Sequence, residues 1–308
     1  MSDKIKVGLI GGSGLGDLLR SQTDGRRHEI DTPFGEPSDA IVETEIEGVP
    51  VCFLSRHGPG HLFNPSQVPY RANIFALKSL GVTHIIASGA VGSLREEFKP
   101  RDLVIPEQII DKTRRPATFF DEAAVHVEFA EPFDPVLRQI LIEQGGAEGS
   151  TFKTHDRGCY VAMEGPAFST RAESIMHRMW GGDLIGMTCM PEAKLAREAE
   201  IAYALIALVT DYDCWRTPPK KDAPADPAEL LKEIIANLQS ASDNAVNLIR
   251  RALRKIAESP DALRASPALN ALKLAIWSDK KRISADHVAR LAPIWRKYFE
   301  SADEQPAE

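Results

Sequence analysis

The chain has 308 residues, 43% hydrophobic and 26% charged, and its 37 Lys and Arg against 44 Asp and Glu leave a formal charge of -7. A globular chain of that size buries roughly three quarters of its unfolded surface, enough for one large core or two modest ones. Mild acidity excludes a broad nucleic-acid surface, which needs a basic stripe, and no run approaches the ~20 apolar residues of a membrane span. The apolar stretch after Met1-Ser2-Asp3-Lys4 is too short and wrongly flanked for a secretory signal, so a soluble, cytoplasmic chain is expected. Cys52, Cys159, Cys189 and Cys214 are far apart and form no Cys-x-x-Cys pair. Reduced, buried thiols are expected from them, and neither a disulfide framework nor a structural zinc site.

Strand-like and helical segments alternate through about the first 250 residues, which predicts an α/β fold with a mixed central sheet flanked by helices. Lys4 to Ile10 reads as the first strand, ending in Gly11-Gly12-Ser13-Gly14. Ile41 to Ile46 and Val49 to Leu54 read as a hairpin, Ser66 to Leu80 as an amphipathic helix, and Thr83 to Ala87 as a buried strand running into Ser88-Gly89-Ala90. Strands follow at Leu103 to Ile110, Cys159 to Met163, Leu184 to Met187 and Ala202 to Val209. Helices follow at Pro135 to Gln144, after a cap at Ser169, and at Glu192 to Glu200. Pro218 to Pro227 is Pro- and Asp-rich and reads as a surface loop, and the chain is then helical from Ala228 to about Glu258. Two more helical patterns, Pro267 to Trp277 and Ser284 to Phe299, carry apolar groups that need something to pack against. The division is therefore residues 1–256 for the α/β domain and 257–308 for a helical C-terminal extension whose expected role is a clamp on the core or on a neighbouring subunit.

Several strands end in a small or polar residue, and α/β sheets place ligands where the carboxyl ends of strands meet. Gly12-Ser13, Arg56-His57, Gly89-Ala90, Thr188 and Asp211 all sit just past a strand. The glycine-rich turn fails the dinucleotide fingerprint, because its third glycine would fall at Asp17, and it lacks the Lys-Ser/Thr of a P-loop. Free backbone N–H groups and one hydroxyl suit either a single phosphate or a plain tight turn. In Arg56-His57-Gly58 a guanidinium fork and an imidazole can grip an oxyanion, or can simply be solvated. Phe168 stands at a loop tip where it can stack on a planar ligand or pack in a core, and His61 can brace its loop. Thr210-Asp211-Tyr212-Asp213-Cys214-Trp215 places two carboxylates past a buried strand, where a carboxyl must be hydrogen-bonded, metal-bound or protonated, unless both acids cap the next segment in solvent. No His/Cys/carboxylate cluster has the spacing of a metal site.

Together these motifs resemble the 5′-methylthioadenosine phosphorylases of the trimeric purine nucleoside phosphorylase family, over about residues 4–256. The resemblance rests on Ile10-Gly11-Gly12-Ser13-Gly14-Leu15, on Asp31 to Ala40 and on Arg56-His57-Gly58. It continues through Gly92 to Glu97, Glu164-Gly165-Pro166, Ser169 to Ser174 and Thr210 to Trp215. It implies reversible phosphorolysis of methylthioadenosine to adenine and 5-methylthioribose 1-phosphate, with inorganic phosphate as co-substrate, no other cofactor and no metal. Phosphate is then expected at Ser13, Arg56, His57, Gly89, Ala90 and Thr188, and the ribose against Met187. Phe168 and Ser169 border the base, and the Asp211-Tyr212-Asp213 run faces the purine, with Asp211 as proton donor to N7 and Asp213 beside it. His126 matches a segment that reaches a neighbouring subunit's site, so a homotrimer with shared sites is implied. The methylthio pocket is expected near Leu230 and Leu231.

Three departures from the family pattern stand out. Ser13 replaces the usual Thr, Ser88-Gly89-Ala90 replaces Thr-Thr-Ala, and the loop from Arg216 to Asp226 is longer than usual. The alternatives are a phosphorylase of 6-oxopurine nucleosides or methylthioinosine, which relatives mark with Asn where this chain has Asp211, a nucleosidase that uses water, and a non-catalytic binder of adenine nucleosides.

Overall fold

A computed structural model describes residues 5–12, 25–148, 152–216 and 227–299; Ser13 and most of the Pro-rich loop predicted at 218–227 lie outside them. Eleven strands form one mixed sheet among the described residues. β1 (Val7–Gly11) lies parallel to β4 (Val49–Ser55) on one side and to β5 (His84–Ser93) on the other. β2 (Arg26–His28) and β3 (Ile41–Ile46) extend the β4 edge as antiparallel neighbours, so the predicted hairpin is present. The predicted strand from Leu103 to Ile110 is two strands, β6 (Leu103–Val104) and β7 (Gln108–Asp111), interrupted around Pro106, which has no N–H to give a ladder. β8 (Thr154–His155) pairs β6, while β9 (Cys159–Ala162) joins β7 to β10 (Leu184–Gly186). β11 (Ala202–Asp211) runs parallel to β5 along almost its whole length.

Alternation along the strands sends side chains to both faces, and both faces are covered. Tyr203, Leu205, Ala207 and Val209 of β11 join a cluster with Ile74 and Phe75 of α1 (Tyr70–Ser79) and Leu195 and Ala196 of α4 (Cys189–Glu198). Ala204, Ile206 and Leu208 face the other way, onto Leu137 and Leu141 of α2 (Pro135–Gly145) and Ala245, Ile249 and Leu253 of α5 (Pro227–Glu258). This is the helix–sheet–helix layering that a strand apolar on both faces requires. The remaining helix of this part, α3 (Arg171–Met179), is capped by Thr170 in a reciprocal box with Glu173, so the N-cap falls one residue after the expected Ser169.

The segment after α5 departs from the two long helices expected there. It is built of α6 (Pro260–Leu263), a 3₁₀ turn at Pro267–Asn270, α7 (Ala285–Arg290) and α8 (Ala292–Trp295). Ser284 caps α7, and Pro293 inside the first turn of α8 starts a new helix in place of continuing the old one. Leu272, Ala275, Leu291, Ile294 and Trp295 belong to the same buried cluster as the α1 and α4 residues. The Trp295 ring is fully buried, 4.8 Å from that of Phe120. Glu200, buried just before β11, anchors the segment: it accepts from the Leu272 N–H at 3.0 Å and the Tyr298 hydroxyl at 2.5 Å, and pairs with Lys297 at 2.6 Å. Among the described residues no helix is long and apolar enough to cross a membrane.

Because residues 267–299 share the core's apolar cluster, Trp295→Ala should cost about 3–5 kcal/mol, in the usual range for emptying a buried indole site. Urea unfolding should still show one transition. An early, separate transition would mean that the C-terminal segment folds on its own.

Candidate active site

The site begins with a mismatch of strand lengths. β1 pairs with β5 only as far as Ile10 opposite Ala87, whereas β5 runs on to Ser93. β10 joins β5 antiparallel at Gly92 and Ser93. Between these two pairings Ser88 to Val91 is laddered to β11 on one side and faces a split in the sheet on the other. Such a split is where an α/β sheet offers backbone groups to a ligand. A cavity of about 450 Å³ opens there.

One end of the cavity is a cradle of small and polar groups: Gly12 after β1, His57 after β4, Gly89 and Ala90 on β5, and Thr188 after β10. Thr188 leads into α4 and its side chain caps nothing, so its hydroxyl remains for a ligand; Met190 has extended backbone angles (φ -113°, ψ 136°), so the regular helix starts only after it. Arg56 lies directly behind this cradle. Its guanidinium is fully buried, forked onto Glu192 at 2.8 and 2.7 Å, and donates to the Ser88 carbonyl at 2.6 Å. Burial opposes its charge, and the Glu192 carboxylate outweighs that and holds it charged. Tyr203 donates to the same carboxylate at 2.8 Å. Gly12 lets the backbone pack directly against the guanidinium, because a Cβ there would stand 2.7 Å from Arg56 Nη1.

His57 is buried and stacks on His61, with ring centroids 4.1 Å apart. Its Nδ1 meets the Phe63 carbonyl at 2.8 Å. A carbonyl only accepts, so Nδ1 carries the proton and Nε2 of the neutral ring is an acceptor. Burial, and then the Arg56 charge, push the His57 pKa down to about 4. The imidazole is therefore neutral at pH 7.

The other end holds the two carboxylates. β11 has a bulge, with Val209 opposite Val91 and Asp211 opposite Gly92, so Thr210 is the extra residue that turns Asp211 toward the cavity. One Asp211 oxygen accepts the Asp213 N–H at 2.7 Å and the other meets the Thr210 hydroxyl at 2.6 Å. The Asp213 carboxyl accepts a hydrogen bond from Ser174, a fully buried hydroxyl on α3. Burial raises the Asp213 pKa and the charge of Asp211 adds to this, while the Ser174 bond opposes both. The floor between the ends is Met187, whose sulfur approaches Gly165 so closely that a Cβ there would be 2.5 Å away.

The cavity thus brings together His57, Gly89, Ala90, Phe168, Ser169, Met187, Thr188, Asp211 and Asp213 of the residues singled out from sequence. Phe168 lines it while remaining 86% exposed. Three others stand outside the lining. Arg56 is behind the wall, and Tyr212 turns away to Trp215 and to the Glu96 carbonyl. The exposed His126 packs on Trp277, 4.6 Å between rings. Ser13 is outside the described residues. Sequence reasoning missed Ile234 and Leu238, which reach the cavity from α5, whereas Leu230 and Leu231 are about half exposed and not in its wall. Their i, i+4 spacing was the available signal. It also undervalued His61, which lines the cavity beside His57. Among the described residues no group of three or more His, Cys, Asp or Glu is arranged to hold a metal ion.

The family model of the phosphorylase superfamily matches residues 6–254. The S-methyl-5′-thioadenosine phosphorylase of Chloroflexus aurantiacus is 48% identical over 298 residues, covering 95% of this chain and 98% of its own length. That of a Synechocystis species is 46% identical over 299 residues, 96% of this chain and 88% of its own. A methylthioadenosine phosphorylase structure from an Antarctic soil metagenomic library superposes with a TM-score of 0.81 at 46% identity, covering 95% of this chain and 99% of that one. The Schistosoma mansoni methylthioadenosine phosphorylase solved with adenine gives 0.78 at 35% identity, covering 89% and 99%. With 95–96% of this chain covered, the similarity to the two bacterial relatives extends past residue 254 into the C-terminal segment that the sequence reading left without a counterpart.

The buried neutral His57 sets a sign for acid stability. An unfolded histidine takes a proton near pH 6.5 and the folded one only near pH 4, so the unfolded state binds more protons in between. The contribution is complete above about pH 6.5 and is lost as pH falls toward 4. His57→Gln should lose less stability than the wild-type chain across that window, corresponding to about one proton fewer taken up on unfolding. Equal slopes in pH-dependent urea titrations would show that His57 titrates as an ordinary histidine.

Proposed function

The chain belongs to the phosphorylase superfamily, and from that membership we propose that it catalyses the reversible phosphorolysis of S-methyl-5′-thioadenosine to adenine and 5-methylthioribose 1-phosphate. The observation that carries this reading is the continuity of one cavity from an oxyanion cradle to a pair of partly buried carboxylates. Cleaving an N-glycosidic bond builds positive charge on the ribose and negative charge on the departing purine. A phosphate in the cradle stabilises the first and attacks C1′. Holding it in line with the sugar replaces an encounter in solution, an effect worth about 7–11 kcal/mol in favourable cases.

In this reading phosphate sits against the Gly89 and Ala90 backbone and the Thr188 hydroxyl, with the buried Arg56 charge behind Gly12; Ser13, outside the described residues, is the remaining phosphate ligand that the family resemblance implies. The bare Nε2 of His57 accepts a hydrogen bond from the P–OH that hydrogen phosphate still carries, and the proton stays on the phosphate. The Met187 thioether supports the ribose, Phe168 and Ser169 border the base, and Ile234 and Leu238 supply an apolar wall for the methylthio group. Asp211 donates to purine N7 as the bond breaks, and Asp213 stands beside it with its pKa pushed above the usual carboxyl range by burial. The adenine amino group at position 6 then meets a carboxylate acceptor. Phosphate is the co-substrate and no other cofactor enters. His126 and the Trp277 it packs on are exposed in the single chain, which suits a homotrimer in which that corner completes a neighbouring site. Residues 1–256 carry the chemistry and 257–308 brace it, in a cytoplasmic enzyme.

Adenine release from methylthioadenosine by phosphate-stripped protein should require added inorganic phosphate. Undiminished release without it would make the enzyme a hydrolase, and binding without release would make it a sensor. Asp211→Asn should lose most activity on aminopurine nucleosides and gain relative activity on 6-oxopurines, whose O6 accepts where the adenine amino group donates. An unchanged ratio of methylthioadenosine to inosine turnover would remove Asp211 from base recognition.

A further inference from the structure

We propose that Arg115 is the positioning residue that holds the base-side and sugar-side walls of the cavity in register with one another; this rests on the nucleoside reading above. Arg115 does not line the cavity, and its side chain is only 4% exposed. Every nitrogen of its guanidinium is engaged. Nε donates to the Glu164 carboxylate at 3.0 Å and one Nη to the Glu164 carbonyl at 2.5 Å. The other Nη faces the Met187 carbonyl at 2.6 Å, the Met190 carbonyl at 3.0 Å and the Tyr70 hydroxyl at 2.9 Å.

These acceptors belong to the two segments that would touch opposite ends of the substrate. Glu164 opens the Glu164-Gly165-Pro166 turn that leads to Phe168 and Ser169, on the base side. Met187 and Met190 bracket Thr188, on the sugar and phosphate side. The two segments also meet directly, Met187 against Gly165, where a side chain would collide. A planar fork spanning fixed carbonyls is something Arg does and Lys, with one compact ammonium, does not. Deleting it leaves buried carbonyls without donors and frees the two walls to shift separately.

Such a role predicts a split that loss of folded protein does not. Free adenine contacts the base side alone, whereas the nucleoside needs both walls at once. In folded Arg115→Met, kcat/KM for methylthioadenosine should fall roughly a hundredfold, as expected when reacting groups are displaced by about 1 Å. Adenine binding by calorimetry should keep close to the wild-type affinity and stoichiometry. An unfolded fraction would instead lower the stoichiometry and leave KM alone. Arg115→Lys, which keeps the charge and one or two of the bonds, provides a second variant if the first does not fold, and should show a smaller form of the same split. Wild-type kcat/KM in either folded variant, or adenine and nucleoside affinity lost in equal measure, would overturn the positioning role. An inactive wild-type enzyme would sink the phosphorolysis reading and this role with it; an active one with an unperturbed Arg115 variant would sink this role alone.

Discussion

One strand outlasting its neighbour organises the site. β5 is paired on both sides up to Ala87 and then on one side only, until β10 closes the gap at Gly92. The stretch between contains Gly89 and Ala90, whose small side chains keep the split open. Everything else converges on that split: Gly12 after β1, the loop after β4, Thr188 after β10 and the bulged end of β11. The catalytic geometry is therefore a property of sheet register before it is a property of any side chain. A shift of β1 against β5 by one residue would close or displace the cradle and exchange the two faces of β1, sending Val7 and Leu9 into the layer that now receives Ile10.

The Arg56–Glu192 pair secures the back of that split. A fully buried ion pair adds little net stability, because two desolvated charges roughly cancel their attraction, yet removing either partner strands the other at a cost of about 3–5 kcal/mol. The pair joins the end of β4 to the first turn of α4 and, through Ser88, to β5. Since Glu192 already compensates Arg56 and His57 is neutral, the cradle has little uncompensated side-chain charge. Backbone N–H groups and the Thr188 hydroxyl then carry much of the attraction for an anion, which is a directional arrangement more than a strongly charged one.

Much of this was legible in the sequence, and the rest was not for identifiable reasons. The β3–β4 hairpin and β11 were readable because period-two alternation or a bounded apolar run marks a strand, and the helices on both faces followed from their amphipathic spacing. Gly12, His57 and Thr188 were readable because they sit just past strand ends, whereas Gly89 and Ala90 lie within β5, which runs on beyond its expected end at Ala87. Thr170 displaced Ser169 as the cap because the box needs Glu at the third position, which only Thr170 has. The C-terminal helices were overread: most of their apolar residues are buried, Leu274 and Trp277 excepted, but the first run closes as a 3₁₀ turn at Pro267–Asn270 and Pro293 divides the second. Arg115 carried no signal at all, since its partners are mostly backbone carbonyls 49 to 75 residues away in the chain. Arg56 was recognised as an anion ligand, while its commitment to Glu192, 136 residues further on, is a purely tertiary fact.

Glu200 gives the molecule a direction in time. It stands at the entrance to β11, the strand that completes the centre of the sheet, yet its carboxylate is satisfied by Leu272, Lys297 and Tyr298. During synthesis β11 leaves the ribosome well before any of them. A nascent chain therefore holds a partly assembled sheet with a naked carboxylate and an open apolar face around Phe120, waiting for residues still to be made. Non-local closure of this kind slows folding and prolongs exposure to aggregation. Premature termination within the last turns would leave the strands and the whole cradle encoded but the layer beneath them unsealed, so the burden of such lesions should fall on protein quality control before it falls on turnover.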